Sequence, residues 1–222
     1  MKIVSTESLI EMQGIKCLIY GRAGVGKTML AMTAPNCLII TAEGGLRSLK
    51  GRNLPAIEVK TVQDLTEIHD WAQRSKEAKQ FKTLHIDSIT EIAEIVLANA
   101  KMQCKDPRQA YGELLEKMTM VVKAYRDLKG YNVVMIAKEE LRSDEMNGTS
   151  QYVPLMPGKK LGPSLPYLFD EVFNMNIGKT PDGKTFRYLR TQPTFQYEAK
   201  DRSGLLLERE EANLSSIFNK LQ

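Results

Sequence analysis

The stretch "GRAGVGKT", residues 21–28, follows the apolar run "CLIY" of residues 17–20 and satisfies the pattern G-x-x-x-x-G-K-[ST]. Glycines at Gly21, Gly24 and Gly26 let the backbone turn its N–H groups inward around a phosphate chain. By average residue usage the pattern arises by accident in roughly one chain in a hundred of this length, and a preceding strand lowers that further. The loop formed by Gly21, Arg22, Ala23, Gly24, Val25, Gly26, Lys27, Thr28 and Met29 is therefore the expected cofactor-binding segment. Lys27 is expected to reach the β- and γ-phosphates of ATP, and the Thr28 hydroxyl to ligate Mg²⁺.

Outward from this loop, short apolar runs alternate with helical patterns. The runs are "CLIY", "CLIIT" (37–41), "AIEV" (56–59), "TLHID" (83–87) and "NVVMIA" (132–137). Such alternation predicts an α/β fold with a mostly parallel sheet covered by helices. Helical faces fall at Val62, Leu65, Ile68 and Ala72 with Thr61 as N-cap, then from Ile89 to Ala100, then from Leu114 to Leu128. From Lys138 to Pro163 the periodicity lapses and turn formers accumulate, which predicts a long loop. Beyond it "EVFNMNI", "TFRYLRT" and "TFQYEA" read as antiparallel strands toward the C-terminus, with "TPDGKT" (180–185) as a hairpin turn and a last helix from about Glu210 to Leu221. The 222 residues are expected to form one domain, with residues 1–14 as an extension.

A net charge of +4 permits a polyanionic partner without demanding one. Cys17, Cys37 and Cys104 have no paired spacing, which predicts a reducing, cytoplasmic setting and argues against a thiolate metal site. No run is apolar and long enough to span a bilayer, so no membrane partner is expected.

Two carboxylates complete the candidate chemistry. Asp87 ends the apolar strand "TLHID" and is placed to hold Mg²⁺ together with Thr28, with Ser88 in support. Glu43 follows the second strand in "TAEGG", where a carboxylate can orient or deprotonate the water that attacks the γ-phosphate. His85 reads as a core histidine.

The order "GRAGVGKT", "TAEGG", "LHIDS" and "NVVMIAK" followed by a long segment resembles the RecA-like ATPase core. Within that group the chain is most similar to the short phage nucleotide-binding ATPases related to the Sak group of single-strand annealing and recombination proteins. The resemblance implies that Lys27, Glu43 and Asp87 are catalytic. It also places Lys138 at the polar position where RecA proteins carry a glutamine, a departure that would leave the lysine or the adjacent Glu139 to sense the γ-phosphate differently. It implies contact with single-stranded DNA through residues 138–163, with Arg142, Lys159 and Lys160 as cations and Tyr152 as a stacking platform. A second segment, 102–111, would add Lys105, Arg108 and Tyr111.

Lys200 and Arg202 in "YEAKDRSG" are similar to the K-x-R element that RecA-like rings insert into a neighbour's ATP site, which implies a homo-oligomer with ATP at subunit interfaces. The function implied is a Mg²⁺-dependent, DNA-stimulated ATPase that promotes annealing or recombination in the cytoplasm of a phage-infected bacterium, with a single-strand binding protein as a further partner. The alternatives are an ATP-switched accessory or loader for a replication partner, and a P-loop kinase.

Overall fold

The computed structural model describes residues 5, 8, 14–144 and 148–222. Five apolar runs become parallel strands: β1 Lys16–Tyr20, β2 Cys37–Thr41, β3 Ala56–Glu58, β4 Thr83–Asp87 and β5 Asn132–Ala137. A sixth, β8 Glu171–Lys179, pairs parallel to β1. From β8 the sheet continues antiparallel through β9 Thr185–Arg190 and β11 Arg209–Glu211, while β10 Lys200–Asp201 pairs with the start of β8. The resulting order is β11-β9-β8-β1-β5-β4-β2-β3. This is the mixed α/β class expected: a mostly parallel sheet, flanking helices and antiparallel strands near the C-terminus.

The two faces of the sheet are covered differently. On one, Leu18, Leu84 and Met135 pack with three helices, α1 Val62–Arg74, α2 Ile89–Gln103 and α3 Pro107–Arg126. Each has its own start signal, an oxygen side chain that satisfies an unpaired N–H at the first turn: Thr61 for α1, Ser88 for α2 and Asp106 for α3. On the other face, Cys17, Ile19 and Val134 pack with α5 Leu214–Leu221. A short 3-10 helix, Thr28–Thr33, lies on this face too, and Thr33 Oγ1 accepts from the Leu214 N–H at 2.9 Å.

Several expectations need correction. Residues 138–163 are not a structureless loop: β6 Glu139–Asp144 and β7 Thr149–Pro154 form an antiparallel ribbon, followed by the short helix α4 Leu161–Ser164. The ribbon buries little of either face, so its side chains show no apolar alternation to read. Residues 102–111 are not a loop either, because α2 runs to Gln103 and α3 starts at Pro107. "TFQYEA" contributes only the isolated bridge Tyr152–Tyr197 ahead of β10. The final helix starts at Leu214 because residues 209–211 pair with β9 instead.

His85 is fully buried on β4, and burial pushes its imidazole down to about 4, so it is a neutral core residue. Among the described residues no helix is long and apolar enough to cross a membrane.

Glu171 is an unusual core residue. It is 3% exposed and sits opposite Asp201 in the β8–β10 register. Burial first, and the Asp201 carboxylate second, push its carboxyl up to about 8. A carboxyl raised in the folded state adds stability below its unfolded value, and that stability is lost as pH rises toward the folded value. Between pH 5 and pH 8 the wild type is therefore expected to lose a few kcal/mol relative to Glu171→Gln. Denaturant unfolding at the two pH values measures this, and parallel pH dependence of the two proteins would contradict it.

Candidate functional site

Register brings the chemistry to one edge. Tyr20 aligns with Ala137, and Ile136 with Asp87, which in turn aligns with Thr41. The residues that follow these strand ends, Gly21, Lys138, Ser88 and Ala42, therefore emerge side by side at the carboxyl edge of the sheet, where ligands bind in open α/β sheets.

The loop after β1 turns as its glycines allow. A Cβ on Gly21 would lie 2.6 Å from the Met175 carbonyl oxygen, and Gly26 has φ +106, in the region that favours glycine. Lys27 Nζ donates to the carbonyls of Gly21 at 2.6 Å and Arg22 at 2.9 Å, which holds the ammonium across the loop. Burial lowers the Lys27 pKa, and Asp87 and Glu43 oppose that shift.

The Thr28 hydroxyl donates to Asp87 Oδ2 at 2.5 Å, so two residues 59 positions apart meet as a pair of hard oxygen donors. Burial raises the Asp87 pKa against the pull of Thr28 and Lys27. Among the described residues no group of three or more His, Cys, Asp or Glu side chains could hold a metal ion. One hydroxyl and one carboxylate nevertheless suit Mg²⁺, which keeps several waters and takes its remaining oxygens from phosphates.

Next to Asp87, Ser88 Oγ donates to Glu43 Oε1 at 2.8 Å and also accepts from the Glu91 N–H at the start of α2. Thr41 Oγ1 bonds the Glu43 backbone from both sides, accepting from its N–H at 3.1 Å and donating to its carbonyl at 2.9 Å. Glu43 is thus held at its main chain and its carboxylate. Across the site Lys138 Nζ is ion-paired with Glu91, and the Lys138 N–H donates to Thr90 Oγ1 at 3.0 Å. Lys27, Thr28, Glu43, Asp87, Lys138 and Arg187 are among the residues around one cavity of 720 Å³.

The match to the AAA domain family runs over residues 13–203. The chain belongs to that family. It is a P-loop NTPase. Among solved structures, the KaiC-like protein PH0186 of the archaeon Pyrococcus horikoshii OT3 is similar over 85% of this chain and 84% of its own, at 16% identity and a TM-score of 0.43. No curated protein matches.

Other candidates in this AAA domain lie away from the cavity. Arg108, Lys159 and Lys160 surround a second cavity of 570 Å³ with Tyr111, between the start of α3 and the segment before α4. Lys105 is exposed in the short link between α2 and α3 and is not among the residues around that cavity. Neither is Arg142, which is engaged by Glu140. Tyr152 is no open platform, for its ring stacks on Tyr197 at 5.1 Å with the Arg22 guanidinium 5.9 Å from its centre. Glu145, an acid of the 138–163 segment that weakens its case as a DNA contact, lies outside the described residues.

Lys200 and Arg202 sit at the other end of the sheet. Lys200 pairs with Val172, which aligns with Leu18, so it is roughly 10 Å of strand behind the loop of its own chain. Its ammonium donates to Pro166 O, while Arg202 is ion-paired with Asp170.

Arg187 was not singled out in the sequence. It lies on β9, and its Nε donates to the Val25 carbonyl at 2.8 Å. Nothing in "TFRYLRT" marks it, because only the β8–β9 pairing carries it to the loop.

Proposed function

We propose that this AAA domain is a Mg²⁺-dependent ATPase that binds single-stranded DNA and promotes annealing or recombination in phage DNA metabolism. The observation that carries the hydrolytic part is the row Thr28–Asp87 and Ser88–Glu43, which sets a metal-suited oxygen pair beside a held carboxylate. In hydrolysis the oxygen of a water forms a bond to the γ-phosphorus while the bond to the β–γ bridging oxygen breaks, and the departing diphosphate carries the charge. Glu43 takes the proton of that water and returns it to solvent, and Lys27 and Lys138 offset charge on the transferring group. Thr28 and Asp87 would hold Mg²⁺, which neutralises phosphate charge when bound.

DNA binding is supported by the second cavity, which residues of both segments line, Arg108 and Tyr111 from one and Lys159 and Lys160 from the other. The trans role of Lys200 and Arg202 is compatible with their distance from their own phosphate loop. A homo-oligomer follows, acting with a single-strand binding protein in the bacterial cytoplasm.

An ATP-switched accessory role is the second reading. It is favoured by the tie between the nucleotide loop and the β6–β7 ribbon, where Arg22 lies 3.7 Å from Glu139.

The test is steady-state ATP hydrolysis with and without single-stranded DNA over a salt series, at several protein concentrations. The expected result is stimulation by DNA that fades as salt rises, with specific activity that climbs with protein concentration in the wild type and stays flat in Arg202→Ala. Hydrolysis indifferent to DNA at every salt would remove the DNA reading and favour the switch.

A further inference from the structure

Three carboxyls gather at the foot of β8. Asp170 and Glu171 are adjacent in the chain, and the β8–β10 register sets Asp201 opposite Glu171. Asp201 is fully engaged by its own turn. Its carboxylate accepts from the N–H groups of Ser203 at 2.9 Å, Gly204 at 3.1 Å and Leu206 at 3.0 Å, and from Ser203 Oγ at 2.5 Å. Burial pushes the Asp201 pKa up, and these bonds outweigh it and hold the group below its ordinary value, so it stays ionised. Asp170 is paired with Arg202. Glu171 differs from both, for its Oε2 is buried with no hydrogen-bond partner. A buried, unpaired carboxylate oxygen beside a second carboxylate is costly twice over, and a proton lying between the two groups removes both penalties.

The segment held by this contact is short. β10 meets β8 only at Lys200 with Val172 and at Asp201 with Glu171, and the chain rejoins the core at Leu206, which packs with Cys17, Ile19 and Phe173. Within it, the Lys200 ammonium is held by Pro166 O and the Arg202 guanidinium by Asp170.

We propose that Glu171 and Asp201 hold one proton between them, and that this proton latches residues 200–206 against β8, so that its loss releases the segment together with Lys200 and Arg202. When the segment lifts, water reaches Glu171 and restores the acidity of an ordinary carboxyl, so the proton leaves as the latch opens. A carboxyl raised in the closed state holds the segment fully below its open-state value and loses its grip as pH rises toward the closed value, here about 8.

The other charged or titratable groups facing Glu171 are Asp170 beside it, Lys16 and Cys17 on β1, Lys200 on β10, and Arg202, whose N–H donates to it. Burial keeps the Cys17 thiol neutral throughout, but it also lowers Lys16 to about 8, so the assignment to Glu171 needs a variant as well as a titration. Only the consequence for assembly rests on the trans reading of Lys200 and Arg202. A shut latch keeps both cations on their own chain, and an open one lets them reach a second copy's ATP site.

Limited trypsin digestion reads the latch without any activity, so its failure is separate from that of the trans reading. First cuts after Lys200 and Arg202 report the segment. Cuts after the exposed Lys184, between β8 and β9, report the protease's own pH dependence, and cuts after Lys16, on buried β1, report global unfolding. In the wild type the rate at Lys200 and Arg202, relative to Lys184, is expected to climb about tenfold between about pH 6.5 and about pH 8 and then to level, with no cut at Lys16. In Glu171→Gln the amide keeps the shape and donates to Asp201 at every pH, so the relative rate is expected to stay flat. A flat wild-type rate, or a climb that Glu171→Gln repeats, would overturn the latch. So would a climb shared by Lys16, which reports unfolding of the whole chain rather than release of one segment.

Discussion

Glu43→Gln will bind ATP with near wild-type affinity and hydrolyse it about 10²–10⁴-fold more slowly, the range that a positioned general base contributes. The substitution keeps the shape and the ability to accept from Ser88 Oγ, so Thr41, Ser88 and the start of α2 have no cause to move. What it removes is a group able to take the water's proton. Binding and chemistry separate because Lys27 and the loop N–H groups, the phosphate ligands proposed above, lie on other elements. Quench-flow measurement of phosphate release, with ATP affinity measured in parallel, checks both halves. Equal loss of affinity and turnover would make Glu43 a structural residue of the loop after β2.

Lys27→Ala is expected to fail at both steps. It removes a cation held over the loop by two carbonyls and leaves Asp87 without the positive charge that opposes its burial. Loss of one such electrostatic contact costs turnover about 10²–10³-fold, and ATP affinity falls with it because the same contact exists in the bound ground state. Folding should survive, since the lysine bonds only carbonyls of its own loop. Isothermal titration with ATP and a steady-state assay measure the two losses, and a variant with unchanged affinity would show that the phosphates lie elsewhere.

The positions of Lys27, Thr28, Glu43 and Asp87 were legible in the sequence because Lys27 and Thr28 close the glycine-marked loop that follows β1, Glu43 comes two residues after β2 and Asp87 ends β4. Parallel strands in register then deliver those positions to one edge, so chain order alone predicts that they meet. Arg187 was not legible, for its place depends on an antiparallel pairing that brings the middle of β9 beside the loop. The β6–β7 ribbon escaped for a different reason. It has little buried face, and "EELRSD" reads as solvated chain although its backbone pairs fully with "TSQYVP". Tyr152 shows the cost of that omission. As a loop residue it looked free to stack on a base, whereas pairing fixes its ring against Tyr197.

Helix boundaries were legible where a cap residue marked them, as at Thr61. They were misplaced at the C-terminus, where strand pairing claimed residues 209–211 ahead of the helix.

The central claim is that the cavity at the carboxyl edge of the sheet hydrolyses ATP with Mg²⁺. It is tested most directly by following phosphate release from ATP by the purified wild-type chain, with magnesium and then with the metal chelated. The account requires release that depends on magnesium and vanishes in Asp87→Asn, which keeps the shape of the Thr28 partner but not its charge. Magnesium-independent release, or release unchanged in Asp87→Asn, would contradict it.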